Sequence, residues 1–191
     1  MCRRTVATGS AFGLLFLLGL VAVGCGSPPY TTDYPLQTPY LTAKDGLLRY
    51  RIPLGWFDAS SGAEGPKTVL WIMRDDYAAS ISVNTLALDA EARRGIKGSG
   101  LVDLARVTMQ LTSSAKSAIV LKPPSMAKVD GKEFCWYEYV AMPSMDTVRV
   151  AILDSGASIY EITALAAQQG RQASSREVFS AQSSFLKNLQ W

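Results

Sequence analysis

The stretch from Met126 to Leu165 constrains the fold of this 191-residue chain more than any other feature. It is a succession of short strand-like runs joined by turns too tight for anything but antiparallel pairing. Asp130-Gly131 is a two-residue hairpin signal, joining a run around Met126–Val129 to Glu133–Val140. Thr147–Leu153 follows, and Asp154-Ser155-Gly156 turns it into Ser158–Leu165.

Upstream, Leu48, Tyr50 and Ile52 alternate with Arg49 and Arg51, and Ala79, Ile81, Val83 and Thr85 alternate with Ser80, Ser82 and Asn84. A period of two predicts half-buried strands. Between them lie a Gly/Ser-rich loop, Ser60–Pro66, and a further run, Thr68–Met73. Two helices complete the pattern. Gly95–Gly100 reads as a flexible break, after which Ser99 can cap a helix carrying Leu101, Leu104, Ala105, Thr108 and Leu111 on one face. A short strand, Ala118–Leu121, then stops at Pro123-Pro124. Near the C-terminus Ser174 and Glu177 match a capping box, ahead of an apolar stripe of Val178, Phe179, Phe185, Leu186 and Leu189 that Gln182 interrupts. Strands, a helix, hairpin-linked strands and a helix predict an α+β fold with an antiparallel sheet.

The N-terminus is built differently. Arg3 and Arg4 precede Phe12–Val23, which has no charge. That run is too short for a bilayer core of about 30 Å, which needs about 20 apolar residues, so it reads as an export signal. It ends in Val21-Ala22-Val23-Gly24-Cys25, which resembles the lipobox of bacterial lipoproteins, although that family favours Leu where Ala22 stands. The resemblance implies a diacylglycerol on the Cys25 thiol, cleavage before it and acylation of the new amine. Two or three acyl chains anchor stably where one does not. The plain alternative is a secreted protein with a stray cysteine. The expected organisation is a signal peptide over 1–24, lipidated Cys25 and a Pro-rich tether over 25–40, and one globular domain over 41–191. Residues 26–39 reach about 20 Å as a coil and about 43 Å in polyproline form. Gly26, rather than Asp, follows Cys25. By resemblance to enterobacterial lipoproteins this implies the outer membrane, facing the periplasm.

Removing the signal takes Arg3 and Arg4 from the 19 basic residues, leaving 17 against 16 acidic ones. A near-neutral domain lacks the basic field expected of a nucleic-acid binder. With Cys2 in the signal and Cys25 lipidated, Cys135 stands alone, and its aromatic neighbours predict a buried thiol. The chain has no histidine, which removes histidine acid–base chemistry, Ser-His-Asp and Cys-His sites and every histidine-ligated metal. No cofactor or metal site is implied.

The remaining chemical candidates are sparse. Ser-x-x-Lys occurs at Ser113/Lys116, Ser125/Lys128 and Ser184/Lys187, a pairing a Ser/Lys hydrolase would use, but the companion Ser-Asp-Asn and Lys-Thr-Gly motifs are absent. Ser184 and Lys187 have a plain reading on the surface of the last helix. Asp75-Asp76 and Asp89/Glu91 read as solvated carboxylates, lacking the ligand spacing of a calcium loop. Gly95-x-x-Gly98-x-Gly100 precedes a helix, where phosphate can bind, yet it has neither phosphate-loop signature and reads as a mobile loop. Trp56, Trp71 and Trp136 either line an apolar pocket for a lipid or small ligand, or fill the core.

Tyr50-Arg51-Ile52-Pro53-Leu54-Gly55-Trp56, Tyr160-Glu161-Ile162-Thr163, Phe179 and Ser184-Phe185-Leu186-Lys187-Asn188-Leu189 together resemble the opening and closing motifs of PsbP-like domains. The resemblance covers about Leu41 to Trp191 and implies a layered α/β/α sandwich around a central antiparallel sheet. Such domains are mostly non-catalytic and dock on larger membrane assemblies. The expectation is an envelope lipoprotein, held to the membrane through Cys25, whose non-catalytic domain binds an envelope protein partner. A carrier of an apolar ligand and a Ser/Lys hydrolase are the alternatives.

Overall fold

A computed structural model describes residues 33–62, 65, 67–168 and 173–191; the expected signal peptide and Cys25 lie outside them. The alternating runs become strands. Strands β1 (Leu41–Thr42) and β2 (Arg49–Tyr50) pair with each other. Seven more form one antiparallel sheet: β3 (Trp56–Asp58), β4 (Thr68–Arg74), β5 (Ala79–Leu86), β6 (Ile119–Val129), β7 (Lys132–Ala141), β8 (Asp146–Asp154) and β9 (Ile159–Ala166). Their spatial order is β3-β4-β5-β9-β8-β7-β6. Helix α1 (Ala90–Lys116) packs against β6, β7 and β8, and α2 (Ser175–Asn188) packs across β9, β8 and β6.

Alternation decides which face each side chain takes. Ala79, Ile81 and Val83 of β5, with Tyr160, Ile162 and Ala164 of β9, bury against Val178, Phe179, Phe185 and Leu186 of α2. Leu48, Tyr50 and Ile52 close the same core from β2 and its flanks, the Tyr50 ring lying 6.2 Å from that of Phe185. Burying each such large side chain stabilises by about 1.5–3 kcal/mol. On the opposite face Cys135, Tyr137, Val148, Val150 and Ile152 meet Ala105 of α1. That helix covers half of its face, leaving Trp71, Met73, Ser80, Ser82 and Asn84 half-exposed over β4 and β5. The α+β sandwich around a central antiparallel sheet is therefore present.

The hairpin reading holds in detail. Asp130 and Gly131 both have positive φ, 50° and 80°, and Val129 pairs with Lys132 across them. Other local readings fail. The chain is already helical from Ala90, ahead of the expected break, and the break is confined to Gly100, whose φ of 79° and ψ of 176° separate two helical segments. Leu111, expected on the buried face, is 68% exposed. Pro123-Pro124 does not end a strand. Strand β6 passes through both prolines, its register slipping between Val120 and Lys122 and again between Lys122 and Ser125. An edge strand can do this because its outer N–H groups have no ladder to serve. The capping box does not form: Ser174 makes no side-chain cap bond, and Glu177 reaches Arg74 at 3.5 Å instead. Residues 34–37, within the stretch read as a tether, already lie along the chain after β2, with Leu36 bridged to Pro53 and Gln37 N–H donating to Ile52 O at 2.8 Å.

Candidate functional site

The catalytic candidates from the sequence do not assemble. Ser113 donates back to Met109 O within α1 at 2.5 Å, and the side chain of Lys116 lies outside the described residues. Ser125 and Lys128 are three apart on a strand and project to opposite faces. Ser184 is not a surface residue: it is buried, and its Oγ has no hydrogen-bond partner, while Lys187 is exposed. No Ser-x-x-Lys pair is thus brought together among the described side chains.

The acidic and glycine-rich candidates are local structure. Asp76 takes two bonds from Arg74, from Nε at 2.8 Å and Nη2 at 2.6 Å, which hold its carboxyl at about 2. Its neighbour Asp75 sits in the same turn with its N–H on Gly55 O. Asp89 opens α1, its carbonyl accepting from Arg93 N–H, and Glu91 is exposed in the first turn. Among the described residues no three metal-ligating side chains cluster. Gly95–Gly100 is helix and kink, so no glycine loop is present to cradle phosphate. Burial pushes the Cys135 thiol up to about 11, which makes it unreactive near neutral pH.

The three tryptophans do not converge either. Trp56 is core, with Nε1–H on Tyr34 Oη at 3.4 Å. Trp71 belongs to the half-open face of β4, and Trp136 faces α2 on β7. The space beside Trp136, bounded by Phe134, Arg149, Ala151 and Ser183, is about 10 Å³. That is room for about one water molecule, far from enough for an acyl chain.

Sequence reasoning missed a buried cation at that spot. Arg149, in the middle of β8, is 2% exposed. Its Nε–H donates to Gln182 Oε1 at 2.5 Å, and Nη2 donates to Phe179 O at 2.5 Å and Ser183 Oγ at 2.9 Å. The guanidinium lies over the rings of Phe179 and Trp136, 5.0 and 5.3 Å from their centroids. Gln182 returns its Nε2–H to Ile162 O at 2.8 Å and Arg149 O at 3.3 Å. Glu138 stands at the cross-strand position to Arg149, also buried, with Lys122 Nζ 3.0 Å away. The signal was Gln182, the intruder in an apolar stripe, together with an arginine amid Val148, Val150 and Ala151. This network pins α2 to the sheet. It offers no open, reactive position.

Outside the core, the most distinctive surface is the β6 edge. Ile119, Val120 and Leu121 on β6 and Val107 and Leu111 on α1 are all exposed large apolar side chains. Helix α1 ends two residues before β6 begins and packs against it. The prolines and register slips blunt the edge against indiscriminate strand addition.

No family profile matches the chain, and no curated protein is similar to it in sequence. Solved structures share its fold. Cyanobacterial PsbP (CyanoP) from Synechocystis is 16% identical, over 86% of this chain and 97% of that one, with a TM-score of 0.52. The Ran-binding protein Mog1p of Saccharomyces cerevisiae is 14% identical, over 82% of this chain and 96% of that one, with a TM-score of 0.51. A Bacteroides thetaiotaomicron protein is 11% identical with a TM-score of 0.48; the match covers 81% of this chain and spans 48% of the length of that one. The PsbP-like fold expected from the motifs is the one observed.

Proposed function

We propose that this chain is a bacterial envelope lipoprotein, anchored through Cys25 and facing the periplasm from the outer membrane, whose PsbP-like domain binds a protein partner without catalysis. The observation that carries the binding role is the number of exposed large apolar side chains on two adjoining elements, Val107 and Leu111 of α1 and Ile119, Val120 and Leu121 of the edge strand β6. The same fold in a Ran-binding protein supports a binding role for such a domain. The anchor rests on the run Phe12–Val23 and the small residues before Cys25. No helix among the described residues is long and apolar enough to cross a membrane. The binding role is tested by a photoreactive amino acid placed at Leu111 or Leu121 in cells, with Arg176 on the outer face of α2 as the control. A discrete protein adduct from the flank and none from Arg176 is the expected result. No adduct from either flank position, or the same adducts from all three, would remove the binding role.

A further inference from the structure

One end of the sheet combines three features. The register places the β4–β5 turn, the β7–β8 turn and Leu54-Gly55 beyond the same end: Trp56 pairs with Arg74, Ala79 with Ala166, Ala166 with Thr147, and Ala141 with Asp146. That rim exposes Leu54 (49%), Tyr77 (68%), Met142 and Met145 (49%). Tyr77 and Met145 have φ of 60° and 62°, a region that favours glycine, asparagine or aspartate. Large apolar side chains therefore occupy turn positions that neither solvent exposure nor backbone geometry favours. Such local cost persists where function keeps it.

The chain leaves the domain at this same rim. Tyr34 Oη donates to Leu54 O at 3.2 Å and accepts from Trp56 Nε1–H. Eight residue steps separate Asp33 from Cys25, at most about 29 Å of extended chain and about 16 Å as a coil. A domain held so closely meets the bilayer repeatedly, at an effective concentration in the millimolar range. The rim offers no basic excess for anionic headgroups, because Arg74 is paired with Asp76 and Glu177.

We propose that this rim rests in the headgroup layer of the membrane that holds Cys25, with Leu54, Tyr77, Met142 and Met145 in apolar contact with lipid. The proposal deepens the lipoprotein reading and rests on it. In that orientation the β6 flank stands beside the bilayer, open to a partner that is itself membrane-attached. The opposite end of the sheet also exposes apolar groups, Leu47 and Trp191, the latter with Lys132 Nζ 5.7 Å from its ring. It is the competing contact, and the test separates the two.

The test uses the full lipidated chain in phosphatidylethanolamine vesicles carrying a shallow spin-labelled quencher. A fluorophore is attached through Asp75→Cys at the tether rim or Ala157→Cys in the β8–β9 turn at the far end. At least twofold stronger quenching at position 75 is expected. The added pair Tyr77→Ser and Met145→Ser should abolish that difference while the protein still floats with the vesicles. Replacing part of the lipid with phosphatidylglycerol should leave the ratio unchanged. Equal quenching at both positions, or stronger quenching at 157, in protein whose mass shows acylated Cys25 overturns the orientation and leaves the anchor standing. So does a difference that appears only with anionic lipid. Protein without acyl chains that fails to float overturns both readings.

Discussion

Replacing Arg149 with methionine tests the structural core of the fold. The substitution keeps length and apolar volume but removes the donor to Gln182 Oε1, Phe179 O and Ser183 Oγ. Bonds from a charged donor are worth about 1.5–3 kcal/mol each. Their sum is offset by the cost of burying the guanidinium, and each buried neutral acceptor left unpaired by its removal costs about 1–3 kcal/mol. Taking about 4 kcal/mol, a domain of this size should lose about 8–16 °C in Tm. Denaturant unfolding followed by tryptophan fluorescence is the assay, since Trp136 lies against the guanidinium. Because Arg149 and Gln182 act through one network, the double variant with Gln182→Leu should be less destabilised than the sum of the singles by at least about 1 kcal/mol. A loss below about 1 kcal/mol for Arg149→Met, or strict additivity in the double variant, would refute the claim that this network pins α2.

Further outcomes follow from titratable and reactive groups. Asp76 has its pKa lowered to about 2 from 3.8, so its contribution is complete above about pH 4 and is lost as pH falls through 2. Its side chain is 45% exposed, which limits the effect to under about 1 kcal/mol; Asp76→Asn should flatten stability between pH 4 and 2 in urea titrations. Tyr139 and Tyr160 are both raised to about 12 from 10.0 and Cys135 to about 11 from 9.0, mainly by burial. The unfolded chain therefore loses these protons first, and stability measured by denaturant melts should fall from about pH 9 through 12, each group adding up to about 1.4 kcal/mol per pH unit. Cys135 should resist a thiol reagent at pH 7.5 in the folded protein and react promptly in denaturant; rapid reaction of the folded protein would contradict its burial.

The sequence was informative where one local rule acts alone. Asp130-Gly131 dictates its turn because two successive positive φ angles leave little choice of residues, and Ser80, Ser82 and Asn84 reveal β5 because one face of it is covered and the other half-open. The α2 stripe was equally plain, all five of its expected apolar residues being buried. Local rules failed where tertiary position overrode them. Pro123-Pro124 reads as a break, yet an edge strand tolerates missing donors, and only the strand order shows that β6 is an edge. The glycines of residues 95–100 read as a loop, yet only Gly100 interrupts the helix, the residues before it being helical already. Leu111 is 68% exposed because it lies on the outer side of α1, while Met109 is the residue there that packs against the sheet. Ser184 and Arg149 look polar and therefore exposed, yet both are buried between α2 and the sheet, and only Gln182 in the apolar stripe and the apolar neighbours of Arg149 hint at it. The candidate surface was illegible for the same reason, since only the strand order makes β6 an edge and only the packing sets α1 beside it.

The proposed address makes one chemical statement on which the binding role at a membrane depends, and mass spectrometry reads it directly. Intact protein from the membrane fraction should begin at Cys25 and carry the added mass of a diacylglycerol, with a third acyl chain on its amine, and Cys25→Ala should abolish both the modification and the membrane association. A mature chain that begins elsewhere, or an unmodified thiol at position 25, would contradict the account.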